Sequence, residues 1–420
     1  MRHGIIRIIA ALGLVLLTTH AIAGGRQEAA ATGDPSELRG TVTGILMTGA
    51  PARVQFLVDK LSAEHTGLRF EIEEVQFLQL DNKINLARAS GADYDFIQVN
   101  HSSVPQFVNA SVLHPLDDYI AGSSIEFAGN YNESFLALAY VDGSQYGIPW
   151  DVDCRVFAYN KNVLDRFGLT PPGDLSEMLE IARQVTGDGI YGTARNMQSP
   201  LGLVYDFGSY GLGMGARLYV QDGDRYRATV DTPEMIEYVR WAKQMWEYMP
   251  KDVSLASDMV NELFMQDRLA MTIFGPWNFF NIGATLELGE DYVLTTIPGD
   301  TRSGSAMGGW MLGIGYGGTN KDGAWELMRH IFEPENLART VWALPSDRRA
   351  YQYPPFNDPR YEVFDRQMLT AEIPQPPTPV LSQAAEVYNR YFNEAVLGNT
   401  AVEQAMRQAN SEIQRLLDDL

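Results

Sequence analysis

The stretch YGIPWDVDCRVFAYNKN, Tyr146 to Asn162, lies near the middle of a 420-residue chain. It holds an X-Pro step, Trp150, two aspartates two residues apart, the lone Cys154 and then a run rich in aromatic and β-branched residues. The residue before a proline is pushed towards extended backbone, and the run that follows favours a strand. Side chains repeat every two residues along a strand, so Asp151 and Asp153 would share a face with Cβ atoms about 7 Å apart. That spacing suits a glycosidase carboxylate pair, which needs about 5 to 9.5 Å. It suits equally two ionised acceptors for sugar hydroxyls. Two acids on one strand cannot easily flank opposite sides of a scissile bond, so binding is the stronger reading; a pair of solvated strand-edge aspartates is the plain alternative. Cys154, beside Arg155, reads as a small buried hydrophobe rather than a reactive thiol.

Upstream, Thr41 to Met47 reads as a strand, and Pro51 suits the first turn of a helix that continues through Phe56, Leu57 and Leu61. Phe70 to Phe77 alternates as a second strand, Asp81 to Ser90 follows as a helix, and Tyr94 to Val99 as a third strand. Strand, helix, strand, helix, strand implies a parallel sheet with both faces covered, in an α/β fold. Ligands of such sheets sit beyond the carboxyl ends of the strands, which points at Thr48, Asn100 and His101. Downstream the pattern restarts. Helices are expected at Leu175 to Val185, from Pro233 through Met235, Val239, Ala242 and Trp246, and at Asn261 to Asp267. Strands follow at Leu269 to Phe274, Tyr292 to Ile297 and Trp310 to Gly315, then helices at Trp325 to Phe332, Ser382 to Val387 and Ala401 to Leu417. The proline-rich PQPPTP, Pro374 to Pro379, cannot be helix and reads as an ordered surface crossing.

The N-terminus carries Arg2 and Arg7, an uncharged run from Ile8 to Leu17 and the small-x-small Ala21-Ile22-Ala23, which reads as a cleavable export signal over 1–23. Residues 24–37 are small and polar, a flexible leader, and no cysteine stands at the cleavage site to take a lipid. What remains is too long for one typical domain and comfortable for two. A net charge of −21 disfavours nucleic acid and anionic lipid as partners and makes a neutral ligand easier to accept. His65, His101, His114 and His330 are scattered, and with one cysteine there is neither a disulfide nor a metal-ligand pattern, so no cofactor or metal is expected. No phosphate-binding loop, dinucleotide fingerprint or nucleophile elbow is present. Trp241, Trp246 and Trp325 fall on helices and read as core. Trp150, Trp277, Trp310 and Trp342 sit beside turn residues, where a broad apolar face can stack on the C–H face of a sugar.

Several blocks, in order, resemble one family. DYDFIQVNHSSVPQFVNASVLHPLDDYI (Asp93 to Ile120), the quoted stretch extended to Leu169, DRLAMTIFGPW (Asp267 to Trp277), GGWMLGIG and PQPPTPVLSQ together span most of the chain. They are similar to the extracellular solute-binding proteins of ABC importers, in the carbohydrate-binding group that includes maltose-binding protein. The resemblance implies two α/β lobes, each a mainly parallel sheet covered by helices, joined by hinge crossings. One lobe would hold 38–150 plus about 300–350, the other about 151–299 plus 351–420. It places Pro149 to Cys154 where the chain first leaves the first lobe, Asp153 at a ligand-contacting acid, Trp277 at a stacking tryptophan of the second lobe and, more loosely, Trp310 at the return to the first. The ligand-binding set expected is Thr48, Asn100, His101, Trp150, Asp151, Asp153, Trp277 and Trp310. The implied partners are a neutral mono- or oligosaccharide and ABC permease subunits with a separate ATPase. The implied setting is a monomer in the periplasm or outside the cell. A secreted glycoside hydrolase or lyase using Asp151 and Asp153, or a sensory sugar-binding protein, are the alternatives.

Overall fold

A computed structural model describes residues 37–299 and 302–420. The signal and leader expectations lie outside the described residues. The first sheet opens with β1 (Arg39–Met47), α1 (Ala50–Glu64), β2 (Gly67–Val75), α2 (Leu80–Ser90) and β3 (Phe96–Asn100). The three strands pair in parallel, with Arg39 opposite Gly67 and Met47 opposite Val75. Burial explains the middle strand: Val42, Ile45 and Leu46 are wholly enclosed because β2 and β3 flank β1 and helices cover both faces. Gly49, at φ 85°, opens α1 with Pro51 in its first turn. β2 ends two residues earlier than its apolar alternation suggests. The chain turns at Gln76 into a short 3₁₀ turn, Phe77–Gln79, which frees Phe77 from the sheet.

The other strands of the two main sheets are β4 (Ile148–Cys154), β5 (Val156–Asn160), β6 (Met271–Phe274), β7 (Tyr292–Thr295), β8 (Ser305–Ile314), β9 (Leu344–Pro345) and β10 (Ala371–Glu372); two small two-stranded hairpins, Tyr140–Val141 with Ser144–Gln145 and Tyr219–Asp222 with Arg225–Ala228, stand apart from them. The first sheet runs β9-β4-β8-β3-β1-β2, with β10 added to the far end of β8. β8 is antiparallel to both neighbours, placing Trp310 opposite Asn100 and Gly308 opposite Asp153. It begins five residues before the expected Trp310, because Gly308 and Gly309 hide the strand pattern. Gly309 sits at φ 147°, and a Cβ there would meet the Asp151 carbonyl oxygen at 2.3 Å.

The second sheet is β6-β5-β7, and both pairings are antiparallel. This corrects the expectation of a mainly parallel sheet in each half. Apolar patterning marks a strand but carries no direction, and more than a hundred residues separate β5 from β6, so the chain can enter from either end. The second half holds the helices α3 (Leu175–Val185), α4 (Pro233–Trp246) and α5 (Ser257–Met265), the last meeting the sheet through Phe264 against Phe274 and Tyr292; α6 (Lys321–Ile331) packs on the first sheet, and α7 (Leu381–Val396) and α8 (Val402–Asp418) return to the second half beside α4. α3 shows why they form. Asp174 accepts from the Glu177 N–H at 2.7 Å as N-cap, and Leu175, Met178, Ile181, Ala182 and Val185 recur on one buried face. The PQPPTP segment is ordered: the Tyr219 hydroxyl donates to the Pro376 carbonyl at 3.0 Å. Among the described residues no helix is long and apolar enough to cross a membrane.

Candidate ligand-binding site

Two sheets joined through β4–β5 and β7–β8 leave a cavity of about 580 Å³ between them. The first half contributes Gln76 and Phe77 from the turn after β2. The second half contributes Trp277, just past β6, with Asn261, Asn278 and Asn281, and Arg195, Asn196, Asp206 and Phe207. The Trp277 turn is pinned by its own sequence. The Gly275 N–H donates to Asn278 Oδ1 at 2.8 Å, and Asn278 Nδ2 donates to Asn261 Oδ1 at 2.9 Å. Gly275 is required by close approach, since a Cβ there would lie 2.3 Å from the indole ring. The lining is aromatic and amide-rich, the composition that takes a neutral, hydroxylated solute. A larger hollow, about 840 Å³, is lined by Phe279, Leu286, Asp358 and Arg360; its arginine is already paired with Asp358 at 2.7 Å, and it does not reach the first sheet.

Arg155, in the crossing between β4 and β5, is the electrostatic centre of the cavity wall. It is ion-paired with Asp153 and donates Nε–H to Asp206 Oδ1 at 2.8 Å. Its guanidinium packs against Trp277 and Tyr205, 5.2 and 5.6 Å from their ring centroids. Burial works against the charge, but the two carboxylates more than offset it and raise the guanidinium further above its usual range. Tyr205 and Asp206 ride on a single π-helical turn, Leu203–Phe207, closed by the Gly208 N–H donating to the Leu203 carbonyl at 2.8 Å. Such turns recur at functional segments because they redirect side chains within a helix.

The expected residues divide. Trp277 lines the cavity, and Asp153 reaches it through Arg155. Trp310 meets Phe77 edge-on at 5.8 Å and so backs the cavity wall. His101 is buried beneath, with Nδ1 3.1 Å from the Gly309 carbonyl and Nε2 3.4 Å from the Tyr205 hydroxyl. Trp150 and Asp151 do not face the cavity. β4 is paired on both edges and covered on both faces, so all seven of its residues are buried. The Trp150 indole N–H donates to Thr340 Oγ1 at 3.2 Å. Asp151 accepts from the Trp310 N–H at 3.0 Å and from the backbone of Trp342 and Ala343, while burial and the Asp153 charge push its pKa well above the carboxylate range. Asn100 is absent from the lining and caps the 3₁₀ turn that follows it: Oδ1 accepts from the N–H and the hydroxyl of Ser102, at 3.0 and 2.6 Å. Thr48 is exposed at the end of β1, away from the cavity lining. Cys154 is buried with its thiol pKa raised by burial, as an inert hydrophobe requires.

Sequence reading missed Phe77, Arg155, Asp206 and the asparagines. Arg155 stood inside the quoted stretch, but nothing in its spacing marked a buried pair. Tyr205 and Asp206 lie in a loop-like run, NMQSPLGLVYDFG, without a periodic signal. Among the described residues no group of three or more His, Cys, Asp or Glu could hold a metal ion.

Residues 46–338 match the model of the bacterial extracellular solute-binding proteins. The chain belongs to that family. The diacetylchitobiose binding protein DasA of Streptomyces coelicolor is 26% identical over 273 residues, covering 62% of this chain and 61% of its own. The maltotriose-binding protein of Pyrococcus abyssi is 24% identical over 282 residues, covering 64% of this chain and 58% of its own. Among solved structures, the GacH receptor of Streptomyces glaucescens, known unliganded and with acarbose, superposes with a TM-score of 0.80 at 22% identity, covering 91% of this chain and all of that one. The fold is therefore the two-lobed α/β architecture of this family, with the cavity between the lobes.

Proposed function

We propose that this solute-binding protein is the capture component of an ABC importer and takes up a neutral mono- or oligosaccharide or a polyol. The observation that carries it is the interlobe cavity, with Phe77 from one lobe and Trp277 from the other beside several amides and two carboxylates, Asp206 and Asp258. Relatives that bind diacetylchitobiose and maltotriose support the same cargo class. The solute first lodges on one lobe; closure adds contacts from the other, and the difference in affinity between open and closed forms drives the hinge. The hinge runs through the β4–β5 and β7–β8 crossings, with 38–154 and about 300–350 forming one lobe and about 156–299 and 351–420 the other; the boundary expected at 150 moves to Cys154 because β4 pairs in the first sheet along its whole length. The closed form is handed to permease subunits whose ATPase is a separate chain. One copy suffices for this, outside the cytoplasm, after removal of 1–23. Hydrolysis by Asp151 and Asp153 is disfavoured because Asp151 is sealed in the sheet and Asp153 is neutralised by Arg155.

The test is a thermal-shift screen of the protein without residues 1–37 against maltose, maltotetraose, α-D-tagatose, D-mannitol and ribitol, followed by calorimetry. A binding sugar at a hundredfold excess over Kd adds about 2.7 kcal/mol of stability. W277A should weaken that sugar by about 1–3 kcal/mol with the fold intact. Equal affinity in W277A overturns the site, and release of shorter sugars from maltotetraose overturns the binding-only reading.

A further inference from the structure

We infer that Asp206 is the carboxylate that grips the solute's hydroxyls, and that Asp153 acts one step behind it, positioning Asp206 through Arg155. This rests on the carbohydrate reading of the cavity and specifies how that cavity holds its cargo. Asp206 lines the cavity with its side chain 37% exposed, whereas the Asp153 side chain is 10% exposed and absent from the lining. Arg155 engages only Oδ1 of Asp206, and no hydrogen-bond donor among the described residues takes Oδ2. One oxygen of an oriented carboxylate is thus left for a ligand.

Arg155 cannot follow a moving partner, because the chain holds it on several sides. Its Nη1 pairs with Asp153, its N–H donates to Ser305 Oγ at 2.8 Å, and that hydroxyl donates back to the Arg155 carbonyl at 2.8 Å. Trp277 and Tyr205 close over the guanidinium. Gly308 keeps the space open beside it: a Cβ there would lie 3.1 Å from Asp153 Oδ1 and 3.5 Å from Arg155 Nη1. The relay from Asp153 through Arg155 therefore fixes the direction of Asp206 beside the Trp277 ring. A sugar or polyol lying on that ring presents hydroxyls at its rim. A hydroxyl donating to an ionised carboxylate makes a short, charge-assisted bond, stronger than any the neighbouring asparagines offer. Asp153 sets the geometry of that acceptor without touching the cargo.

The experiment is calorimetric titration of maltose, maltotetraose, α-D-tagatose, D-mannitol and ribitol into the wild type, D206N, D153N and the D153N/D206N double variant. The sugar that binds the wild type best should bind D206N about 10- to 100-fold more weakly. D153N should lose about tenfold, and the double variant should be no weaker than D206N, because both changes disable one acceptor. D153E, which keeps the ion pair, should fall between D153N and the wild type and serves where D153N does not fold. D206N within about twofold of the wild type overturns the assignment of Asp206. Losses that multiply in the double variant overturn the positioning role of Asp153, since a merely structural role or a separate contact would multiply. A wild type that binds none of the five sugars overturns the carbohydrate reading itself, and this assignment falls with it.

Discussion

His101 is enclosed between Phe135, Tyr205 and the Gly309 carbonyl, and burial lowers its pKa to about 4. An unfolded histidine titrates near 6.5, so between about pH 6.5 and 4 the unfolded chain binds a proton that the folded chain refuses. The contribution of this group is whole above about pH 6.5 and is lost as pH falls towards 4, a difference of about 3 kcal/mol. Asp151 acts with the opposite sign, since its raised pKa lets the folded state hold a proton that the unfolded state gives up. Comparing the wild type with H101Q cancels Asp151 and isolates the histidine. Urea titrations at pH 7 and pH 4.5 should show the wild type losing more stability than H101Q; equal losses would mean that His101 is not held neutral. At this scale the sequence was half legible. Trp277 could be found because it follows the Gly275-Pro276 turn and falls at the stacking position that the family resemblance implies. Asp151 and Trp150 misled because the apolar run of a strand does not say whether one face or both are covered, and here both are.

Short elements carry the site more than long ones do. The regular helices and the parallel strands were legible from periodicity: α3 and α4 lie where Asp174 and Thr232 cap apolar stripes. The pieces that make the cavity are the 3₁₀ turn at Phe77, the π turn at Tyr205 and Asp206, and the Gly275–Asn278 turn, none of which has a period to read. Gly275→Ala tests the last of these. Its new methyl would collide with the Trp277 ring, and overpacking of this kind costs about 1–3 kcal/mol unless the ring swings away. The half-buried ring borders the cavity, so displacement into that space is the expected response, with a small drop in Tm and a clear loss of sugar affinity. A full drop in Tm with affinity kept would show that Trp277 packs the lobe and does not meet the cargo.

At the scale of the molecule, two sheets of different character share one chain that crosses between them. The first is long and part parallel, the second short and antiparallel, and the crossings leave only narrow hinge segments such as Arg155. Two-lobe organisation was legible from length and from the restart of the pattern after β5; the direction of the second sheet was not. Cys154, the single cysteine, is buried, so cysteines introduced at exposed Leu86 in one lobe and exposed Val253 in the other can be labelled selectively. The decisive measurement is the spin-label distance distribution of L86C/V253C while the sugar selected by calorimetry is titrated to saturation. Interlobe capture predicts that the distribution shifts to a second, narrower distance with the same midpoint as binding. A saturated protein whose distribution stays where it was would contradict it.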